Sequence, residues 1–214
     1  ELEYQMGVIE TEVAISTQAQ AKWQGTLADP VANNDSYSVA ENATLEVSTN
    51  WWDDNWQYRE QITFTNAPAS TLTDFPVLIQ LNDGVNIDYA NVQNSGEDLR
   101  FVDADGVTVL DYQIEEWNES GTSYVWVRVP QIDTSGADFI HMYYGNTSAT
   151  EAQNATGVWD SNFMQILHLN EDPTGAGVTI SDSTSNANDG VLEGTWDSSA
   201  SVAAQTGRGL YFDG

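Results

Sequence analysis

Carboxylates are the residues from which chemistry would first be expected. Asp103-Ala104-Asp105-Gly106 sets two of them at i and i+2 before a glycine. Such a loop would offer oxygen ligands to a hard cation such as Ca²⁺. Glu97 and Asp98 are close enough in sequence to add ligands. An EF-hand is excluded, because the twelfth position from Asp103 is Ile114 rather than Glu and no helices flank it. The competing reading is a plain hairpin turn, for which Asp-Gly is a signal. Asp53-Asp54 forms a weaker acidic candidate. Asp182, Asn186, Asn188 and Asp189 form another, in which side-chain oxygens crowd a turn and Asx-turn bonding is the alternative.

Aromatic and basic residues come next. In the run Ser123–Val129, Tyr124, Trp126 and Arg128 fall on one face of a strand and Val125, Val127 and Val129 on the other. Trp126 with Arg128 could stack on a sugar, or Arg128 could pair with a nearby carboxylate. Trp51 and Trp52, with Trp196, are further candidates for ligand contact. His141 and His168 both read as packed strand residues. Glu115-Glu116 is not an acid/base pair on a strand, because adjacent side chains point to opposite faces. The sequence contains no phosphate loop, dinucleotide fingerprint or supported Ser-His-Asp set. A non-catalytic protein is therefore expected.

The elements holding these residues follow from composition and pattern. Five Lys and Arg stand against 33 Asp and Glu, a net charge of −28, which argues against nucleic acid and anionic membranes as partners and invites divalent cations. The chain has no cysteine, so thiolate metal sites and disulfides are excluded. No apolar stretch reaches the length of a membrane span, so no membrane insertion is expected from this segment. Apolar residues alternate at period two, and Val, Ile, Thr and aromatics dominate the runs. Strands are predicted at 61–65, 76–80, 99–102, 107–114, 123–129 and 139–144, and further ones at 164–169, 190–193 and 208–212. The fold class expected is an all-β antiparallel sandwich, jelly-roll or Ig-like.

Four segments are distinguished. Residues 1–30 alternate through Leu2, Tyr4, Met6 and Val8 and again through Val13 and Ile15, as an arm or the end of a preceding domain. Such strands need a partner to be stable. Residues 31–50, containing Asp35-Ser36-Tyr37-Ser38-Val39, resemble the opening of a cadherin-like or Ig-like repeat of bacterial surface proteins and read as a linker strand.

From Trp51-Trp52-Asp53-Asp54-Asn55-Trp56 the chain resembles the family catalogued as domain of unknown function 2341. Phe75-Pro76-Val77-Leu78-Ile79, Asp98-Leu99-Arg100-Phe101, Tyr112-Gln113-Ile114-Glu115-Glu116-Trp117, Val125-Trp126-Val127-Arg128 and Tyr143-Tyr144-Gly145-Asn146 carry the resemblance over 51–157. It implies an extracellular β-sandwich module without an established activity. Residues 158–214, with Trp159-Asp160, Ile166-Leu167-His168-Leu169 and Gly209-Leu210-Tyr211-Phe212, resemble the first half of a laminin-G or concanavalin A-like lectin domain.

Together these readings predict an extracellular or cell-surface structural or adhesive module, assembled with copies of itself or neighbouring domains by strand exchange and stabilised by Ca²⁺. A lectin-like module binding glycans, and an ectodomain of a membrane motor or channel, are the alternatives.

Overall fold

The computed structural model describes residues 51–212. The strands expected within 1–30 and the linker strand expected within 31–50 lie outside the described residues. The described residues are nearly all β in class, as the alternation of apolar and polar residues predicts.

Seven strands make the body: β1 (Tyr58–Thr63), β2 (Leu72–Asn82), β3 (Arg100–Asp103), β4 (Val109–Leu110), β5 (Tyr112–Glu116), β6 (Thr122–Ile132) and β7 (Phe139–Tyr144). They form two antiparallel sheets, in the orders β1-β7-β3-β4 and β2-β6-β5. The inner faces share one core. Ile79 and Leu81 from β2, Phe101 from β3, Leu110 from β4, Val125, Val127 and Val129 from β6, and Ile140 and Met142 from β7 all belong to it. Removing each such side chain from water contributes about 1.5–3 kcal/mol, so this shared core is what holds the sheets face to face. The valine face of β6 is thus the core face, as its alternation requires.

The predicted strand 107–114 divides at Asp111, leaving β4 on one sheet and β5 on the other. One chain segment therefore joins the two layers. Asp111 O accepts from Arg128 N at 3.0 Å, which ties the corner to β6.

Beyond β7 the chain makes one helical turn, α1 (Ala155–Val158), N-capped by Asn154. Three short antiparallel pairs follow. They join β8 (Gly175–Ala176) to β11 (Thr195–Trp196), β9 (Thr179–Ile180) to β10 (Gly190–Val191), and β12 (Ser201–Ala203) to β13 (Arg208–Leu210). The strand predicted at 164–169 does not form; a single bridge, Leu167 with Asp182, stands in its place. The reason is competition from side chains. Asn186 Nδ2 donates to the carbonyls of Phe163 and Met164 at 3.0 and 3.1 Å, and Asn188 Nδ2 to Met164 O at 3.0 Å. These bonds occupy groups that a strand partner would use. Leu169 then turns into the left-handed region, at φ 56°.

Candidate functional site

The outward face of the β2-β6-β5 sheet carries the densest set of polar and aromatic side chains, and residues 153–183 are laid against it. Trp159, buried, packs on the Trp126 ring with centroids 5.1 Å apart. Its Nε1 donates to Gln113 Oε1 at 2.7 Å, and Gln113 Nε2 donates to Ser183 Oγ at 2.8 Å. His168 lies between two acceptors of β5: Nε2 is 3.2 Å from Gln113 Oε1, and Nδ1 pairs with Glu115 Oε2. Trp126 Nε1 donates to the same Glu115 oxygen at 3.0 Å, and Asn170 Nδ2 donates to Glu115 O at 3.1 Å. The His168 and Glu115 side chains are 10% and 4% exposed, so this pair is shielded from water. Since an indole N–H can only donate, the amide oxygen of Gln113 is the atom facing Trp159 and His168. Both ring nitrogens of His168 therefore face oxygen acceptors.

A β-bulge builds this cluster. The register of β5 on β6 slips between Ile114 and Glu116, making Glu115 the extra residue. The expectation that Glu115 and Glu116 point to opposite faces is thereby corrected. Both border Gly207, where a Cβ would stand 3.3 Å from Glu115 Cγ and 3.4 Å from Glu116 Cβ.

The same segment closes the open edge of β5. Asn154 N donates to Tyr112 O at 2.9 Å, and Ile114 N donates to Gln153 Oε1 at 2.5 Å. Arg128 completes the seam. Its Nη2 lies 3.2 Å from Asp74 Oδ1 and 3.3 Å from Asp160 Oδ2, and its Nη1 donates to Gly157 O at 3.3 Å. Trp126 and Arg128, the candidate sugar-stacking pair, are thus engaged within the fold.

On the other sheet, Trp51 and Trp52 pack against the outward side of β7. Trp51 meets the Tyr143 ring edge-on at 5.4 Å, and Trp52 meets Trp56 at 4.9 Å. Trp52 N donates to Tyr143 Oη at 3.2 Å. The guanidiniums of Arg59 and Arg100 lie over Trp51 and Trp56, at 5.1 and 5.2 Å. Trp196 packs against Phe212 at 5.2 Å.

The acidic candidates serve turns. Asp98, buried, accepts from Gln93 N at 3.0 Å on one oxygen, and from Gly145 N at 2.7 Å and Asn146 N at 3.1 Å on the other. Glu97 Oε2 accepts from Ser95 N at 2.9 Å. Asp103–Gly106 is the β3–β4 turn, with Gly106 N donating to Asp103 O at 2.9 Å. Gly106 takes φ 72°, a conformation that favours glycine. Asp103 Oδ1 accepts from Ala104 N at 2.8 Å. Asp105 accepts from the Val107 and Thr108 amides and the Thr108 hydroxyl, bonds that hold its carboxyl below the usual range. Asp182 does the same in the second half. Desolvation works against its charge, but the amides of Ile166, Thr184 and Asn188 and the Thr184 hydroxyl outweigh it and lower the carboxyl from 3.8 to about 2. Among the described residues, no group of three or more His, Asp or Glu side chains is gathered so that it could hold a metal ion.

Residues 95–197 match the model of the family described as Domain of unknown function (DUF2341). The DUF2341 match starts in the loop before β3 and ends just after β11. It takes in β3 to β7 and the seam with His168 and Ser183, running past position 157 into the segment likened above to a lectin half. The comparisons find no matching curated protein and no matching solved structure. Among the described residues no helix is long and apolar enough to cross a membrane.

Sequence reasoning missed the Glu115–His168 pair, because the bulge that exposes Glu115 to His168 has no signature in a single sequence. It also missed Asp98 as an organiser of three backbone amides. Trp159 alone carried a local signal, as a lone large aromatic just after a capped helical turn.

Proposed function

We propose that this chain is a non-catalytic structural or adhesive module of an extracellular or cell-surface bacterial protein. The observation supporting this reading most directly is the seam. Glu115, His168, Gln113, Trp126 and Arg128, the residues best equipped for chemistry, spend their hydrogen bonds joining residues 153–183 to the β2-β6-β5 sheet. A net charge of −28 suits a polypeptide exposed to ionic surroundings, with Ca²⁺ as a stabilising counter-ion.

Assembly by strand exchange has a physical basis. β2, eleven residues long, lies at the edge of its sheet, and an edge strand is a template for another chain. The alternation in residues 1–30 supplies a matching strand pattern. Light scattering and negative-stain imaging of the purified chain, with and without millimolar Ca²⁺, test the proposal. Oligomers or filaments are expected; a compact monomer at every concentration and calcium level would remove assembly from it.

A lectin-like function is the second reading, favoured by a polar groove beside the seam.

A further inference from the structure

Beside the seam lies a groove in which some polar groups are bonded within the fold, Thr122 Oγ1 to Asn82 Oδ1 at 2.8 Å and Asn118 Oδ1 to Ser120 N at 3.1 Å, while others face solvent. Glu116, Asn118, Thr122 and Tyr124 form one side of this groove, and the β12–β13 hairpin forms the other through Ala203, Ala204, Gly207 and Arg208. Its volume is about 290 Å³, just under the range of small-molecule sites, roughly 300–1,000 Å³. At about 30 Å³ per water that is about ten waters, the room of one small ring rather than of an extended chain.

The floor is rigid. Tyr124 belongs to the central strand β6, flanked by Gln80 of β2 and Glu116 of β5 in register. The rim is held close by Gly207, at φ 68°, whose missing side chain lets the hairpin approach Glu115 and Glu116. Small residues at 203 and 204 keep the wall low. Arg208 is braced by Nε and Nη2 bonds to Ser201 Oγ and Ser201 O, both 2.7 Å, which leaves Nη1 for a ligand. Glu116 and Tyr124 are half-buried residues, and among the described residues the Glu116 carboxylate and the Tyr124 hydroxyl make no hydrogen bond and stay open to water. An acceptor and a hydroxyl open to solvent beside a braced guanidinium can each exchange a water for a polar group of a ligand.

From this arrangement we infer that the groove is a binding site for a single neutral pyranose. The ring's apolar face lies on Tyr124, and its hydroxyls donate to Glu116 and accept from Arg208 Nη1. The tyrosine supplies apolar contact with a polar tip, the combination a sugar ring needs. Charge argues against an acidic sugar: the chain is −28 overall and Glu116 offsets Arg208 inside the groove. This site deepens the adhesive reading above and rests on it only in part. A failed titration alongside intact assembly would sink the site and leave the module standing.

The test is to titrate the isotope-labelled full chain with the methyl glycosides of glucose, galactose, mannose and N-acetylglucosamine, with glucuronate as the charged control. At least one neutral glycoside should shift the backbone NMR signals of Glu116, Tyr124 and Gly207 saturably, while glucuronate should not. Tyr124→Ala and Glu116→Gln should each weaken that binding at least about tenfold, or 1.4 kcal/mol. Arg208→Ala, on the exposed hairpin, keeps the test valid if the Tyr124 variant fails to fold. The inference is overturned by silence of these signals up to about 50 mM glycoside, weaker than any millimolar affinity. It is equally overturned by shifts unchanged in the variants, or by equal binding of glucuronate.

Discussion

Asp98 shows how a residue that reads as a ligand becomes a piece of framework. Both its oxygens are filled by amides from two loops, Gln93 on one side and Gly145 with Asn146 on the other. Asp98→Ala would strand three donors at a buried position. Each unsatisfied buried donor costs about 1–3 kcal/mol, so a loss on the order of 3 kcal/mol or more is expected in denaturant unfolding. A midpoint indistinguishable from the parent would contradict this account. Glu115 is the second test at this scale. Glu115→Ala leaves the Trp126 indole N–H and the Nδ1 side of His168 without their shared oxygen at a buried site, so a loss of about 1–3 kcal/mol for each stranded donor is expected as a lower midpoint in the same unfolding measurement. The valine alternation on β6 made the core side of that strand legible from sequence. Glu115 was not legible, because one extra residue in β5 turns it and only the partner strand reveals the slip.

At the scale of elements, the second half is held by side chains as much as by ladders. Its strands are two or three residues long, and Asp182 gathers amides from 166, 184 and 188 around one carboxylate. The folded carboxyl is lowered to about 2 from 3.8. Its stabilisation is therefore fully present above 3.8 and is lost as pH falls toward 2. Hydrogen exchange at Ile166, Thr184 and Asn188 should accelerate across that window, and in Asp182→Asn at neutral pH, while β6 and β7 stay protected. Acceleration of all strands together would mean the loop does not open by itself. Body strands were readable in the sequence because a long period-two pattern with a buried face leaves few alternatives. The run 164–169 misled because its alternation was real but its carbonyls were claimed by Asn186 and Asn188, residues some twenty positions away.

Over the whole molecule, 33 acids against five bases set a self-repulsion that salt should relieve. At 0.15 M the screening length is about 8 Å, so most of the benefit should arrive below that concentration. The melting temperature should rise between 10 mM and 0.15 M NaCl, by about 2–4 °C for each kcal/mol relieved. Flat melting over that range would show that the acids are already compensated. The sandwich class was legible at this scale from strand spacing and composition. How the second half sits on the first was not, since the bonds that decide it run between positions 113–126 and 159–183 and leave no local pattern.

The closed edge of β5 has a consequence for synthesis. β5 and Trp126 leave the ribosome well before Gln153, Trp159 and His168, the residues that will cover them. For that interval the nascent sandwich shows a bare strand edge beside an uncovered indole, the combination most prone to capture by a neighbouring chain. Released chains truncated between 145 and 152 should therefore be the form that holdase chaperones retain, and those extended past 183 the form they release.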